Sequence, residues 1–141
     1  MSNQTDDVRV GDLMTAHPVV ITPDAPASEA ERLLKTLRVS GLPVVDGGAV
    51  VGMISLTDLV VARSSAMISG NWARMRVRHL MASPAVTVRA ATSASGAAEL
   101  MVGRHIHRLV VIDDDGVPTG VLTSLDLVRL LVRDPDVDSP G

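Results

Sequence analysis

The sequence predicts a mixed α/β (α+β) fold made of two tandem βαββα repeats packed by pseudo-twofold symmetry. The chain repeats itself once, because many residues between Arg9 and Val50 find an identical residue 67 positions later. Within each copy, short β-branched runs alternate with stretches whose apolar residues recur at helical spacing. A repeat of about 53 residues buries too little surface to be stable alone, so the two copies are expected to pack together and form two equivalent clefts.

The first repeat, residues 8–60, predicts a strand, a helix, a hairpin and a second helix. These elements are expected, in that order, over 19–22, 27–37, 42–45 with 50–54, and 55–63. Pro26 suits the start of the first helix. Gly47 and Gly48 supply the positive φ that a tight hairpin turn needs.

The second repeat, residues 75–133, predicts the same order of elements. They are expected over 86–88, 93–102, 109–112 with 119–122, and 124–133. Gly103 is predicted to end the first helix of this copy. The acidic run at 113–116 is predicted to be the hairpin turn, because it lacks the ligand spacing of a calcium loop. Residues 61–74 are expected to connect the repeats, and residues 1–7 and 134–141 to form flexible tails.

Composition narrows the possible partners. The formal net charge is −3 and Trp72 is the sole aromatic residue, which argues against nucleic acid as a partner. The absence of cysteine excludes disulfides, thiolate metal sites and a cysteine nucleophile. The longest apolar runs are four residues long, so neither a transmembrane segment nor a membrane partner is expected, and we expect a cytoplasmic protein.

The candidate chemistry lies where the last strand of each repeat meets the last helix. Residues 52–58 and 120–126 both have glycine, two apolar residues, a hydroxyl, two variable residues and aspartate. A hydroxyl followed three residues later by an acid is typical of a capping box. A helix start with a carboxylate can also face a ligand, because the carboxylate accepts two hydrogen bonds from a ribose diol. Both interpretations stay open.

The repeated motifs resemble a CBS domain, and two in tandem resemble a Bateman module. The resemblance rests on Val10-Gly11-Asp12-Leu13-Met14-Thr15, Ser40-Gly41-Leu42-Pro43-Val44-Val45-Asp46 and 52–58, with second copies at 80–81, 106–113 and 120–126. It covers roughly 8–133, leaves no catalytic or membrane domain over, and implies a stand-alone regulatory protein, not an enzyme. It also implies energy or metabolite sensing through AMP, ADP, ATP or S-adenosylmethionine, no obligatory cofactor, a homodimer and an unidentified protein target.

The resemblance implies specific ligand-binding residues. Asp58 and Asp126 match the family's ribose-binding aspartates, and Ser55 and Thr123 match hydroxyls near ribose or phosphate. The adenine-contacting segments match Val20, Ile21, Thr22, Thr87 and Val88. Phosphate is implied to approach His107 and Arg108, whose first-copy equivalents are Ser40 and Gly41. Three further residues of the same motifs complete the implied site: Pro43, Thr57 and Leu125.

Other interpretations are weaker. His105 and His107 are two residues apart without a placed carboxylate, so we predict no metal site. No serine occupies a Gly-x-Ser-x-Gly elbow, so no catalytic residue is predicted. Met14 and Met81 are expected to fill core gaps. The open alternative to a sensor is a dimeric interaction scaffold without ligand, in which the Ser/Thr-x-x-Asp pairs act only as caps.

Overall fold

The structure is a computed structural model and describes residues 8–65 and 70–132. The expected tails at 1–7 and 134–141 lie outside the described residues. The helices are α1 (Val10–Leu13), α2 (Ala27–Leu37), α3 (Leu56–Ser64), α4 (Val77–Leu80), α5 (Ala94–Arg104) and α6 (Ser124–Val132), with a short 3-10 helix at Trp72–Arg74. The strands are β1 (Thr15–Ala16), β2 (Gly41–Asp46), β3 (Ala49–Ser55), β4 (Thr87–Val88), β5 (Arg108–Ile112) and β6 (Pro118–Thr123).

The chain forms two compact units. Among the described residues, the Asp58 unit comprises 18–65 and 70–85, and the Asp126 unit comprises 8–17 and 86–132. The Asp58 unit contains the β2–β3 hairpin, and the Asp126 unit contains a four-stranded sheet in the order β1-β6-β5-β4. The α+β class and the two repeats predicted from the sequence are confirmed.

The leading segment of each repeat, which contains α1 in the first and α4 in the second, packs against the later elements of the other repeat. The Val10 N–H donates to the Thr92 carbonyl at 2.8 Å, and β1 pairs with β6 in the Asp126 unit. The Val77 N–H donates to the Ala25 carbonyl at 2.9 Å in the Asp58 unit. The compact units therefore do not follow the repeat boundaries of the sequence.

Each unit has an aliphatic core. The buried core of the Asp58 unit consists of Ile21, Ala27, Ala30, Leu34, Leu42, Val44, Ile54, Leu59 and Val77. The buried core of the Asp126 unit consists of Val10, Val88, Ala97, Met101, Leu109, Val111 and Leu122. Val, Leu, Ile, Ala and Met thus fill both interiors, as the composition requires. Met14 and Met81 pack against these cores, which confirms them as gap fillers.

Two local predictions are wrong. The expected strand at 19–22 is a single parallel bridge between Ile21 and Val44. Pro43 has no N–H to donate to the Val19 carbonyl, whereas the equivalent Val110 donates its N–H to the Val86 carbonyl at 3.1 Å. The expected helix start at Pro26 is confirmed, because Pro26 is the N-cap of α2.

Gly103 does not end α5. The helix continues to Arg104, and His105 ends it with φ +54°, in the left-handed region. The His105 N–H bonds the Val102 carbonyl there, a C-cap for which histidine can replace glycine. Arg38 ends α2 in the same way, with φ +55°.

None of the helices over residues 8–65 and 70–132 combines the length and apolarity needed to cross a membrane.

Candidate functional site

Ser55 and Asp58 form a reciprocal capping box at the start of α3. Ser55 Oγ accepts the Asp58 N–H at 3.1 Å, and Asp58 Oδ2 accepts the Ser55 N–H at 2.8 Å. Ser55 is buried because it ends β3, whereas Asp58 is half-buried on the first turn. In the described part of the chain, the Asp58 carboxylate accepts one hydrogen bond, from the Ser55 N–H to Oδ2.

Thr123 and Asp126 repeat this geometry at the start of α6, with additional bonds. Asp126 Oδ2 accepts both the Thr123 N–H at 2.8 Å and the Thr123 hydroxyl at 3.0 Å. Arg129 Nη1 lies 3.4 Å from Asp126 Oδ1, and the Asp126 side chain is only 8% exposed. The capping predicted from the sequence is therefore present in both copies. The Arg129 guanidinium beside the Asp126 carboxylate was not predicted from the sequence.

The contact with Arg129 had a signal in the sequence. Asp126 and Arg129 are three residues apart on a helix, a spacing at which opposite charges meet. The equivalent position of the first repeat is Val61, which is 65% exposed. The two helix starts are thus alike in their caps and unlike one turn further on.

The candidate adenine segments run beside β2 in the Asp58 unit and beside β5 in the Asp126 unit. The Ile21 N–H donates to the Pro43 carbonyl at 3.1 Å, and the Ile21 carbonyl accepts the Val45 N–H at 2.8 Å. Because both backbone groups of Ile21 are engaged, only its neighbours Val20 and Thr22, which are exposed, present free surface to a ligand.

The second copy of this segment is a true strand. Thr87 and Val88 pair in parallel with Val110 and Val111, so β4 lies at the edge of the four-stranded sheet. Thr87 is half-buried and Val88 is buried. A ligand at this edge would therefore meet Thr87 before Val88.

The residues expected near phosphate lie beside the helix starts. The Ser124 N–H donates to the His107 carbonyl at 2.8 Å, and Arg108 pairs with Thr123 across the β5–β6 ladder. In the Asp58 unit the Leu56 N–H donates to the Ser40 carbonyl at 3.0 Å. His107 is exposed and Arg108 half-buried. The strand start, the cap hydroxyl and the aspartate thus come together in each unit.

The remaining candidates lie on the edges of these groups. Thr57 and Leu125 are exposed on the first turns of their helices, and Pro43 is buried in β2. The Pro43 carbonyl accepts the Ile21 N–H and keeps a second acceptor position.

The acidic run that superficially suggested calcium has another role. Asp113 Oδ1 accepts the N–H groups of Asp115 and Val117 at 2.9 and 3.0 Å, which confirms the run at 113–116 as a hairpin turn. Across 8–65 and 70–132, no three metal-ligating side chains come together.

Comparison with known proteins gives a family. The CBS domain model matches residues 10–65 and 77–133. Inosine-5'-monophosphate dehydrogenase of Mycobacterium tuberculosis is 32% identical over 117 residues, 82% of this chain and 21% of the enzyme. The chain spans between 21 and 40% of the length of the first curated relatives it matches.

Solved structures agree with the fold. The crystal structure of CBSX2 in complex with AMP, a CBS-pair protein from Arabidopsis thaliana, has a TM-score of 0.76 and 31% identity over 89% of this chain and 97% of CBSX2. The CBS domain pair of protein MJ0100, in complex with 5'-methylthioadenosine and S-adenosyl-L-methionine, has a TM-score of 0.77 and 25% identity over 88% of this chain and 99% of that pair. The chain therefore belongs to the CBS domain family and carries two copies of the domain in tandem.

Proposed function

We propose that this CBS domain pair is a regulatory module that senses an adenosine-containing ligand. The candidate ligands are AMP, ADP, ATP and S-adenosylmethionine. The observation that carries the proposal is the occurrence, twice, of a capped helix start that presents an aspartate beside the start of a strand.

The chemistry of the aspartates suits ribose. A carboxylate can accept one hydrogen bond from each hydroxyl of a diol while its other acceptor positions stay in the cap. It would repel a phosphate placed directly on it, so the phosphates belong nearer His107 and Arg108. The exposed Val20 and Thr22, and Thr87 with Val88, supply aliphatic contact for the adenine ring.

The relatives support this ligand class. CBSX2 is a CBS pair in complex with AMP, and MJ0100 is one in complex with a methylthioadenosine and S-adenosyl-L-methionine. The dehydrogenase relatives match this chain over about a fifth of their length. We propose regulation and not catalysis for the chain.

Regulation requires an output. A ligand shifts a conformational equilibrium only through different affinities for its states. We propose a homodimer as the element that responds, because α3 and α6 expose apolar side chains, among them Val61, Leu125 and Leu131 at 57–65% exposure. A protein target would then detect the change.

A ligand-free interaction scaffold is the alternative. The capping boxes favour it, because they explain both aspartates without any ligand. In both functions the two aspartates cap their helices. Only in the sensor do they also bind a ligand.

The test is a thermal-shift panel with AMP, ADP, ATP, S-adenosylmethionine and NADH. A ligand at 100 times its Kd adds about 2.7 kcal/mol, which appears as a rise of several degrees in Tm. A rise with one adenosine compound, lost in Asp58→Ala/Asp126→Ala, supports the sensor. Ser93→Ala is the matched control, because Ser93 caps α5 by accepting the Gly96 N–H at 3.0 Å and lies outside the proposed site. No rise with any compound supports the scaffold.

A further inference from the structure

The two aspartates differ in how many acceptor positions they have left. An ionised carboxylate offers about four such positions, two on each oxygen. Asp126 uses three of them, for the Thr123 N–H, the Thr123 hydroxyl and Arg129 Nη1. Asp58 shows one bond within the described residues, from the Ser55 N–H.

A ribose diol needs one free acceptor position on each carboxylate oxygen for a two-bond contact. Asp58 has one on Oδ2 and two on Oδ1. Asp126 has none on Oδ2 and one on Oδ1, so a diol must displace the Thr123 hydroxyl. It must also share Oδ1 with Arg129. Displacing bonds to a carboxylate that is only 8% exposed costs affinity.

We infer that Arg129 is a specificity-determining residue that makes the two motifs unequal, with the Asp58 motif the stronger site for a ribose diol. This inference rests on the proposed function and assigns a difference between its two sites. The Thr123 hydroxyl can rotate away from Asp126, whereas the Arg129 guanidinium competes with a ribose hydroxyl for Oδ1 as a charged donor. Arg129 is therefore the residue to exchange.

The repeat supplies the reciprocal exchange. Arg129→Val gives the second motif the residue of the first, and Val61→Arg does the reverse. Arg129 and Val61 are 61% and 65% exposed, so neither substitution disturbs a core.

The experiment titrates AMP calorimetrically into proteins in which one motif is silenced. In Asp126→Asn, AMP binding reports on the Asp58 motif, and in Asp58→Asn it reports on the Asp126 motif. In each variant the amide oxygen of asparagine can still accept the N–H of the cap residue. In the Asp58→Asn background, Arg129→Val should tighten AMP binding by about threefold to tenfold. In the Asp126→Asn background, Val61→Arg should weaken it by a similar factor.

The sign of the first effect is diagnostic. Removing a positive charge weakens the binding of an anion through the general field of the protein, whereas release of Asp126 strengthens it. Arg104→Val removes the same charge from the exposed end of α5 and should weaken AMP binding or leave it unchanged. Adenosine, which has the diol but no phosphate, serves as a second ligand. Arg129→Val should tighten adenosine binding without the loss of charge attraction that opposes the gain for AMP.

The outcomes separate the two hypotheses. If Arg129→Val weakens AMP binding or leaves it unchanged, the inference is overturned while the proposed function stands. The same holds if the Asp126 motif binds adenosine, which has no phosphate for His107 and Arg108, more tightly than the Asp58 motif does. If the Asp58→Asn protein binds no AMP, gain of binding on adding Arg129→Val supports the inference, and continued silence overturns it. If the wild type binds neither AMP nor adenosine, the proposed function fails for these ligands and the inference falls with it.

Discussion

The Asp58 unit and the Asp126 unit match in their interiors and differ on the outer turns of their helices. Equivalent positions are buried in both: Val10 and Val77, Ala27 and Ala94, Ala30 and Ala97, Leu34 and Met101, Leu42 and Leu109, Val44 and Val111, Ile54 and Leu122. On the helix surfaces the equivalent residues differ: Val61 of the first repeat corresponds to Arg129 of the second, and Glu31 and Arg63 correspond to Ala98 and Leu131. Core packing constrains the buried residues in the same way in both units. The residues on the helix surfaces are not constrained by packing, so their charges differ between the units.

Truncating equivalent core leucines should have the largest effect. Leu42→Ala and Leu109→Ala each remove a fully buried side chain and should each lower the free energy of unfolding by about 2–5 kcal/mol. Urea unfolding followed by circular dichroism measures both, and Trp72 fluorescence follows the Asp58 unit, because Trp72 packs on its core. A cost below about 1 kcal/mol at either position would show that the two cores are not equivalent.

Adding a methyl group at the paired glycines should distinguish the units. A Cβ on Gly52 would lie 2.7 Å from the Ala82 carbonyl oxygen, which is backbone, whereas a Cβ on Gly120 would first meet the side chain of Met14 and lie 3.1 Å from the Thr15 carbonyl oxygen. We expect Gly52→Ala to cost about 2–3 kcal/mol of unfolding free energy and Gly120→Ala about 1–2 kcal/mol, because a methionine can move.

Gly103→Ala is the control for the glycine pair. It lies inside α5 with open space around its Cβ position, so alanine should stabilise the helix by about 0.5–1 kcal/mol. Equal losses in Gly52→Ala and Gly120→Ala would contradict the difference between the units.

Removing the cap hydroxyls should have a smaller effect. Ser55→Ala and Thr123→Ala each lose a bond to the first turn and should cost about 0.5–2 kcal/mol. Thr123→Ala should cost more, because the Thr123 hydroxyl also donates to Asp126. Chemical denaturation of both variants, with Ser93→Ala as a cap outside the proposed site, measures the order. A larger loss in Ser55→Ala would contradict the bond count.

Removing the charge of Glu31, which belongs to a charge network of the Asp58 unit, should have the smallest effect on the free energy of unfolding. Glu31 accepts bonds from Lys35 and Arg63 at 2.9 Å, and Arg63 also lies over Trp72 with its guanidinium carbon 5.2 Å from the ring centroid. The bond from Lys35, reinforced by the charge of Arg63, holds the pKa of Glu31 below its ordinary value of 4.5. Glu31→Gln should lower the free energy of unfolding by less than about 1 kcal/mol at pH 7.

The pH dependence of this effect has a defined sign. Since the folded pKa is lowered, the stabilisation by Glu31 is complete above pH 4.5 and disappears as pH falls through the folded pKa. Wild type and Glu31→Gln should therefore converge below pH 4.5 in thermal unfolding, and in high salt at pH 7. Glu99→Gln, on the exposed face of α5, is the matched control. A gap that widens toward low pH would contradict the assignment.

The sequence predicts the elements well where a local pattern decides them. The internal repeat, both hairpins and both capped helix starts are present, because alternation, glycine turns and the Ser/Thr-x-x-Asp spacing act within a few residues. The β-branched pattern at 19–22 does not reveal the single bridge at Ile21, because the pairing partner Pro43 has no N–H to donate to the Val19 carbonyl. The end of α5 was missed because a non-glycine residue, His105, takes the left-handed conformation.

The exchange of leading segments could not be read from the sequence. Residues 10–14 and 77–81 share valine, leucine and methionine at equivalent positions, so either segment suits either unit. Only the contacts show that Val10 is buried in the Asp126 unit and Val77 in the Asp58 unit. For the candidate site, the two aspartates were predictable from the motif, whereas their different numbers of bonds depend on side-chain positions.

The central claim is that these aspartates bind the ribose diol of an adenosine-containing ligand. The most direct measurement compares the Kd of AMP with that of 2',3'-dideoxyadenosine 5'-monophosphate, which lacks both hydroxyls, on the wild-type protein. Hydrogen bonds to a charged group contribute about 1.5–3 kcal/mol, so the dideoxy compound should bind at least about tenfold more weakly. Equal dissociation constants for the two compounds would contradict the account, because no carboxylate would then be binding the diol.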